Sequence, residues 1–342
     1  MKILIFKVNQ LGDNIVFKPV VDYLTSQPGS NQVFLFTSPT AKALYEEQIP
    51  SERLYAFPTR RFNSAWKTPF FFAQLLALVR RIGPDICLLA EDQGNVAHFL
   101  SSITGASCRV GSLAPFLRWR WGLTVDVQPG EGTNHALWGW KILKAFVNST
   151  QGEPVPDEPP PPVLSHLSRS RQSFDFLIHA GASLECKQWL PCRFVELANR
   201  LASRHRVGWV NAGLPGAAGL SHQVHRLDTP NLAHLVSAIA NARVFVGNNS
   251  GPMNIAQALG TPSMIFCGPS RKNWDPYWHS DRMVILRDQS LPCICCDKVS
   301  AQALCCTNLK EPMACMRAWS VDKAEAISQS MLLENGGHSL RI

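Results

Sequence analysis

Residues 244–259 read VFVGNNSGPMNIAQAL. The apolar run from Val244 to Gly247 has the composition of a buried strand. It passes through Asn248 and Asn249 into Ser250-Gly251-Pro252, and a helix is expected over 252–259. Ser250 suits the N-cap position. Pro252 suits the first helical turn, where its missing N–H removes nothing, and Gly251 lets a ligand approach the backbone closely. The free N–H groups of such a turn, at the positive end of the helix dipole, favour a diphosphate. An ordinary capped helix accounts for Ser250 and Pro252 but gives no reason for the glycine.

The same alternation extends in both directions. Strands are expected over 2–8, 33–37, 85–90, 174–179, 207–211 and 263–266, and helices over 16–24, 70–81, 192–203, 232–241 and 321–333. Strands alternating with helices predict parallel sheets covered on both faces. Residues 154–162 hold six prolines, a stiff and extended stretch. A chain of 342 residues exceeds the usual size of one core. The expected division is therefore a first domain over 1–153, a linker over 154–172, a second domain over 173–320 and a closing helix over 321–342. A ligand cleft is expected between the halves, at the carboxyl ends of the strands.

Charged residues are 17% and hydrophobic residues 46%, the balance of a globular protein rather than a disordered one. The net charge of +8 favours anionic partners. Nucleic acid is not expected, because the arginines follow no nucleic-acid-binding module. The first apolar run, Ile3 to Phe6, is too short for a secretory signal and is broken by Lys7. The run from Phe70 to Val79 is too short to span a bilayer. A cytoplasmic protein is expected.

Two further motifs carry chemistry. Gly12-Asp13 lies where the first strand hands over to the first helix, and a carboxylate there can accept a proton from a hydroxyl. Helix capping by Asp13 is the competing reading of that turn taken alone. In the second half, His179-Ala180-Gly181-Ala182-Ser183 closes a strand with small residues, and Lys187-Gln188-Trp189 follows. Lys187 is placed to neutralise a phosphate, and Ser183 offers a hydroxyl.

Four stretches in fixed order resemble glycosyltransferase family 9, the family of the ADP-heptose:lipopolysaccharide heptosyltransferases. They are KILIFKVNQLGDNI (2–15), HAGASLECKQWLPCRF (179–194), VGNNSGPMNIAQALGTP (246–262) and FCGPS (266–270). Glu91-Asp92-Gln93-Gly94 and the segment after Asn134-His135 are weaker echoes. The resemblance implies an α/β protein of GT-B architecture, two Rossmann-like domains whose parallel sheets face a central cleft, with the last helix packing back toward the first domain. It implies an inverting, metal-independent transfer of heptose from ADP-heptose to a lipopolysaccharide core-type acceptor.

In that scheme Asp13 is the general base. Ser183, Lys187, Asn249, Ser250, Gly251, Pro252 and Asn254 bind the donor, and Lys7 matches a basic position near the acceptor. Asn249 and Asn254 stand where the family usually has Asp and His, which leaves donor identity open. Another nucleotide sugar, a protein or small-molecule acceptor, and a non-catalytic nucleotide-sugar-binding protein are the alternatives.

Two features lie outside these motifs. Trp66 to Phe72 and Leu117 to Trp121 mix aromatics with cations, a composition suited to an anionic glycolipid acceptor or to a peripheral site at the cytoplasmic face of the inner membrane. Arg60, Arg61, Arg118 and Arg120 are acceptor-side candidates. Six of the eleven cysteines crowd between 293 and 315. Cys293, Cys296, Cys306 and Cys315 are candidates for a structural zinc or iron site. Free thiols in a loop fit the same spacing.

Overall fold

The structure, a computed structural model, describes residues 1–27, 31–113, 122–150, 152, 154–164, 167, 173–210, 217–296, 306, 308 and 310–336. The chain divides into two compact units, Met1–Val163 and Leu164–Ile342.

Unit 1 contains strands β1 (Lys2–Phe6), β2 (Gln32–Thr37), β3 (Leu54–Ala56), β4 (Ile86–Leu89), β5 (Cys108–Gly111) and β6 (Val125–Asp126). Its helices are α1 (Leu11–Ser26), α2 (Thr59–Asn63), α3 (Pro69–Ile82), α4 (Asn95–Ser102) and α5 (His135–Ser149). Unit 2 contains β7 (Phe174–His179), β8 (Val207–Val210), β9 (His225–Leu227), β10 (Ala242–Asn248), β11 (Ser263–Phe266) and β12 (Met283–Leu286). Its helices are α6 (Pro191–Ala202), α7 (Leu232–Ala240), α8 (Gly251–Leu259), α9 (Ala314–Arg317) and α10 (Val321–Gly336).

The first sheet runs β3-β2-β1-β4-β5-β6 and the second β12-β11-β10-β7-β8-β9. All pairings are parallel. Numbered within each unit, both orders are the doubly wound 3-2-1-4-5-6. In that order the connections leave in opposite directions after the first and fourth strands, and ligands bind beside that switch point. β1 and β4 mark it in unit 1, β7 and β10 in unit 2. The expected two-domain α/β organisation is observed.

The central strands are buried throughout. Ile3, Leu4, Ile5 and Phe6 have no exposed surface, nor do Phe176, Leu177 and Ile178. Such all-apolar runs are what a parallel sheet covered on both faces requires. α3 shows how a helix face is chosen: Phe71, Leu75, Val79 and Ile82 recur at helical spacing and pack into the core of unit 1. Gly83 ends α3 at φ 54 and Gly260 ends α8 at φ 68, left-handed positions that favour glycine.

The proline stretch is tied to unit 1. Trp140 Nε1 donates to the Pro156 carbonyl at 2.8 Å, and Lys144 reaches Asp157 at 2.7 Å. In unit 2, α10 packs on α6 and β10.

Candidate active site

α1 begins earlier than its apolar periodicity indicates, so Gly12 and Asp13 already lie in its first turn. Gln10, not Asp13, occupies the N-cap position. Asp13 sits at N3, where its Oδ2 accepts the Gln10 N–H at 3.0 Å. One carboxylate oxygen thus closes the turn. Asn14, fully buried, fixes the same turn: its Nδ2 donates to the Asn9 and Gln10 carbonyls and its Oδ1 accepts the Thr37 hydroxyl.

Lys7, directly after β1, has no exposed surface. Its Nζ lies 2.9 Å from Glu91 Oε1 and 2.9 Å from Asp92 Oδ1, both carried by the loop after β4. Phe17 lies under the ammonium group at 5.4 Å. Asn9 Nδ2 holds the second Asp92 oxygen at 2.8 Å, and Gln93 Oε1 accepts the Val8 N–H at 3.2 Å. Lys7, expected beside an acceptor, is enclosed by Glu91 and Asp92.

Three carboxylates share this one cation. Burial alone would lower the Lys7 pKa, but Asp92, Glu91 and Asp13 together hold it above the ordinary lysine value. The Asp13 pKa also rises, which favours its neutral form. Burial and the charges of Asp92 and Glu91 outweigh Lys7 and the Gln10 N–H, and its pKa rises to about 6. Such a carboxylate is ionised at neutral pH yet keeps appreciable proton affinity, as a general base requires.

At the switch point of unit 2, β7 ends in the Ala180–Ser183 turn and β10 ends at Asn248. Asn248 has no exposed surface and joins the two. Its Oδ1 accepts the Trp189 N–H at 2.9 Å and its Nδ2 donates to the Ala180 carbonyl at 2.9 Å. Trp189 is fully buried, stacks on Phe266 at 4.2 Å and donates from Nε1 to the Trp319 carbonyl at 3.0 Å. The loop carrying half-buried Lys187 is thus anchored just behind the lysine.

Ser250 is at the N-cap, as expected, but its hydroxyl donates to the Asn248 carbonyl at 3.2 Å and does not cap the helix. The first-turn N–H groups of α8 carry no side-chain cap. Pro252 and Asn254 are buried beneath that turn. Asn249 Nδ2 donates to the Trp274 carbonyl at 3.3 Å, and Asn254 Oδ1 accepts from Gln257 Nε2 at 2.5 Å. Gln257 Oε1 in turn accepts the Tyr277 N–H at 2.7 Å. Arg287 holds Asp275 in the same segment at 2.7 Å.

The structure thus gathers Lys7 and Asp13 at one switch point, and Ser183, Lys187, Asn249, Ser250, Gly251, Pro252 and Asn254 around the other. Arg60 and Arg61 are exposed on α2, which follows β3, two strands from β1. Arg118 and Arg120 lie outside the described residues. Sequence reasoning passed over Asn14, Asn248 and the Asp275–Arg287 pair, and gave Asp92 no role. Two consecutive asparagines at a strand end were the available signal for Asn248.

Cys293, Cys296 and Cys306 lie close enough to Cys315 to help burial raise its thiol to about 12. Met313 N–H points at Cys306 Sγ at 3.3 Å and Asn308 Nδ2 at Cys293 Sγ at 3.7 Å. The four thiols share a neighbourhood. Among the described residues, however, no three His, Cys, Asp or Glu side chains are arranged to hold a metal ion.

The sequence model of glycosyltransferase family 9 (heptosyltransferase) matches residues 164–302. No curated protein matches the chain. Solved structures match along nearly all of it. E. coli heptosyltransferase WaaC with ADP aligns at 14% identity and TM-score 0.71, covering 97% of this chain and 100% of that one. E. coli ADP-heptose lps heptosyltransferase II aligns at 17% identity and TM-score 0.67, covering 98% and 100%. The iron-containing dodecameric glycosyltransferase TibC from enterotoxigenic E. coli aligns at 15% identity and TM-score 0.57, covering 97% and 76%. At these identities the likeness is one of fold.

Proposed function

We propose that this chain, a family 9 heptosyltransferase-like glycosyltransferase of GT-B fold, moves a heptose from ADP-heptose to a lipopolysaccharide core-type acceptor with inversion at the anomeric carbon. Asp13 takes the proton from an acceptor hydroxyl. The freed oxygen attacks the anomeric carbon, the bond from that carbon to the diphosphate breaks, and ADP departs. Lys187 and the uncapped N–H groups at Ser250–Gly251 receive the charge that develops on the diphosphate. Ser183, Asn249, Pro252 and Asn254 shape the rest of the donor site. Arg60, Arg61 and Arg120 meet anionic groups on the acceptor. No step is assigned to a divalent metal, and any zinc or iron at the cysteines would be structural.

The observation that carries this reading is Asp13, whose burial and carboxylate neighbours lift its pKa to about 6 at a switch point. The donor side leans on a relative with a TM-score of 0.70, solved as WaaC with ADP-2-deoxy-2-fluoro heptose. A membrane glycolipid as acceptor makes this a peripheral protein at the cytoplasmic face of the inner membrane. Among the described residues no helix is long and apolar enough to cross a membrane.

Asp13→Asn is the direct test. Transfer is expected to fall by about 10²–10⁴-fold, with ADP affinity retained. Undiminished turnover would remove Asp13 from the role of base. A second reading, another nucleotide sugar as donor, is favoured by Asn249 and Asn254, which offer neither carboxylate nor imidazole. Calorimetry across a panel of nucleotide sugars separates the two: preference for a uridine donor would sink the adenosine reading.

A further inference from the structure

One stretch of unit 1 combines exposed aromatics with unopposed positive charge. Residues 53–84 contain Arg53, Arg60, Arg61, Lys67, Arg80 and Arg81 and no Asp or Glu. α3 commits Phe71, Leu75, Val79 and Ile82 to the core, which turns Phe70 outward at 76% exposure. Trp66, one turn earlier, is 49% exposed. These are the two largest exposed aromatics among the described residues. Ala73, Gln74 and Ala77 continue the outward stripe of α3 without acidic groups, and Arg80 and Arg81 end it.

Arg60, Arg61 and Lys67 lie at the same end as the aromatics. Arg61 is exposed and its guanidinium lies over the Phe71 ring at 4.3 Å. Arg60 is its neighbour on α2, and Lys67 lies between Trp66 and Phe70. Nothing in the core calls for the outward rings. Sequence periodicity reads α3 simply as a helix laid on the sheet, and the structure confirms that for one face only.

We propose that the α2–α3 segment, centred on Trp66, Lys67 and Phe70, is a docking face for a bilayer containing anionic lipid. Aromatic rings settle at the level of the headgroups, and arginine and lysine beside them meet lipid phosphate. Exposed aromatics beside cations, with no acidic residue over 53–84, match the headgroup level of an anionic bilayer. The face adjoins the base-bearing rim. α2 packs on α4, and Asn63 Oδ1 lies 3.3 Å from where a Cβ on Gly94 would project, on the loop that carries Glu91 and Asp92. Docking there delivers a membrane-borne acceptor to that side of unit 1. The inference rests on the glycolipid reading for its purpose but is tested without donor or acceptor, so either can fail alone.

The experiment is co-sedimentation of the full chain with phosphatidylcholine vesicles, with and without phosphatidylglycerol. Wild type is expected to sediment only with the anionic vesicles and to be released by salt. Trp66→Ser/Phe70→Ser should weaken that partition at least tenfold, and Lys67→Ala about fivefold. Both variants should keep the wild-type circular-dichroism spectrum and cooperative thermal unfolding, which shows that they fold. Wild type that ignores anionic vesicles, binds neutral ones equally well, or keeps its affinity in the aromatic variant overturns the proposal. If the aromatic variant fails to fold, Lys67→Ala and the salt dependence of the wild type decide instead.

Discussion

At the switch point of unit 1, Lys7, Asp13, Glu91 and Asp92 crowd around the ends of β1 and β4. At that of unit 2, an asparagine, a row of backbone amides and a half-buried lysine fill the corresponding places around β7 and β10. The strand order is the same, and so is the task of holding two loops together. Unit 1 does it with Lys7 bridging two carboxylates, and unit 2 with the neutral side chain of Asn248 bridging Trp189 and Ala180. A charged bridge leaves residual charge to tune a nearby proton acceptor. A neutral bridge leaves the dipole of α8 and Lys187 as the dominant field, which suits an anion. One architecture thus yields two electrostatic characters, through the residues immediately after the first and fourth strands.

The largest effect that tests this contrast comes from Lys7. Lys7→Met keeps the apolar stem over Phe17 but strands Glu91, whose side chain has no exposed surface. Loss of one partner of a buried pair costs about 3–5 kcal/mol, measurable by denaturant unfolding. The sign with pH is fixed. In the wild type Lys7 helps hold the Glu91 pKa below the usual carboxylate value. Without the cation, burial drives it back up, with His135 left to oppose it. The variant should then be least destabilised at acid pH, and its deficit against wild type should grow as pH rises to the new value. A loss under about 1 kcal/mol would mean that the bridge is not what joins the two loops.

Asn248→Ala is the matching change in unit 2. It leaves the Trp189 N–H and the Ala180 carbonyl without their partner, and each buried orphan costs about 1–3 kcal/mol. The neutral bridge predicts a stability loss that does not vary with pH, because no titrating group is exposed by it. It also predicts a raised KM for the donor, since the loop bearing Lys187 loses its tie to β10. A normal KM in a folded variant would separate the bridge from ligand binding.

Both bridges mark the limit of what sequence reading reaches. The central strands were legible, because a strand covered on both faces is an unbroken apolar run; β7 and β11 fall where their residues indicate. The outer strands β3, β5, β6, β9 and β12 were not. They are two to four residues long, and β9 is His-Arg-Leu, with no apolar run to announce it. Asp13 and Lys187 stood out through the ordered family resemblance; taken alone, the Asp13 turn also read as a helix cap. Asp92 and Asn248 were not legible, because their importance lies in partners 85 and 59 residues away. Lys7 was assigned to the acceptor side through the family resemblance. Its complete burial could be foreseen only by knowing that β4 lies beside β1 and brings Glu91 and Asp92 to meet it.

The smallest expected effect is the most specific to the charged switch point. Asp13 must be ionised to accept a proton, so kcat/KM should fall on the acid side with an apparent pKa near the value of about 6. Asp92 raises that value through its negative charge. Asp92→Asn preserves shape and retains an oxygen for Lys7 while removing the charge. Lys7 then acts on Asp13 with less opposition, and the acid limb should move to lower pH by less than about one unit. A purely structural role for Asp92 would lower activity at every pH and leave the limb in place. A limb that moves to higher pH would mean that Asp92 serves Asp13 mainly by steadying Lys7, not through its own charge. The unit 2 variant Asn248→Ala supplies the control, because removing a neutral side chain takes away no charge that could displace that limb.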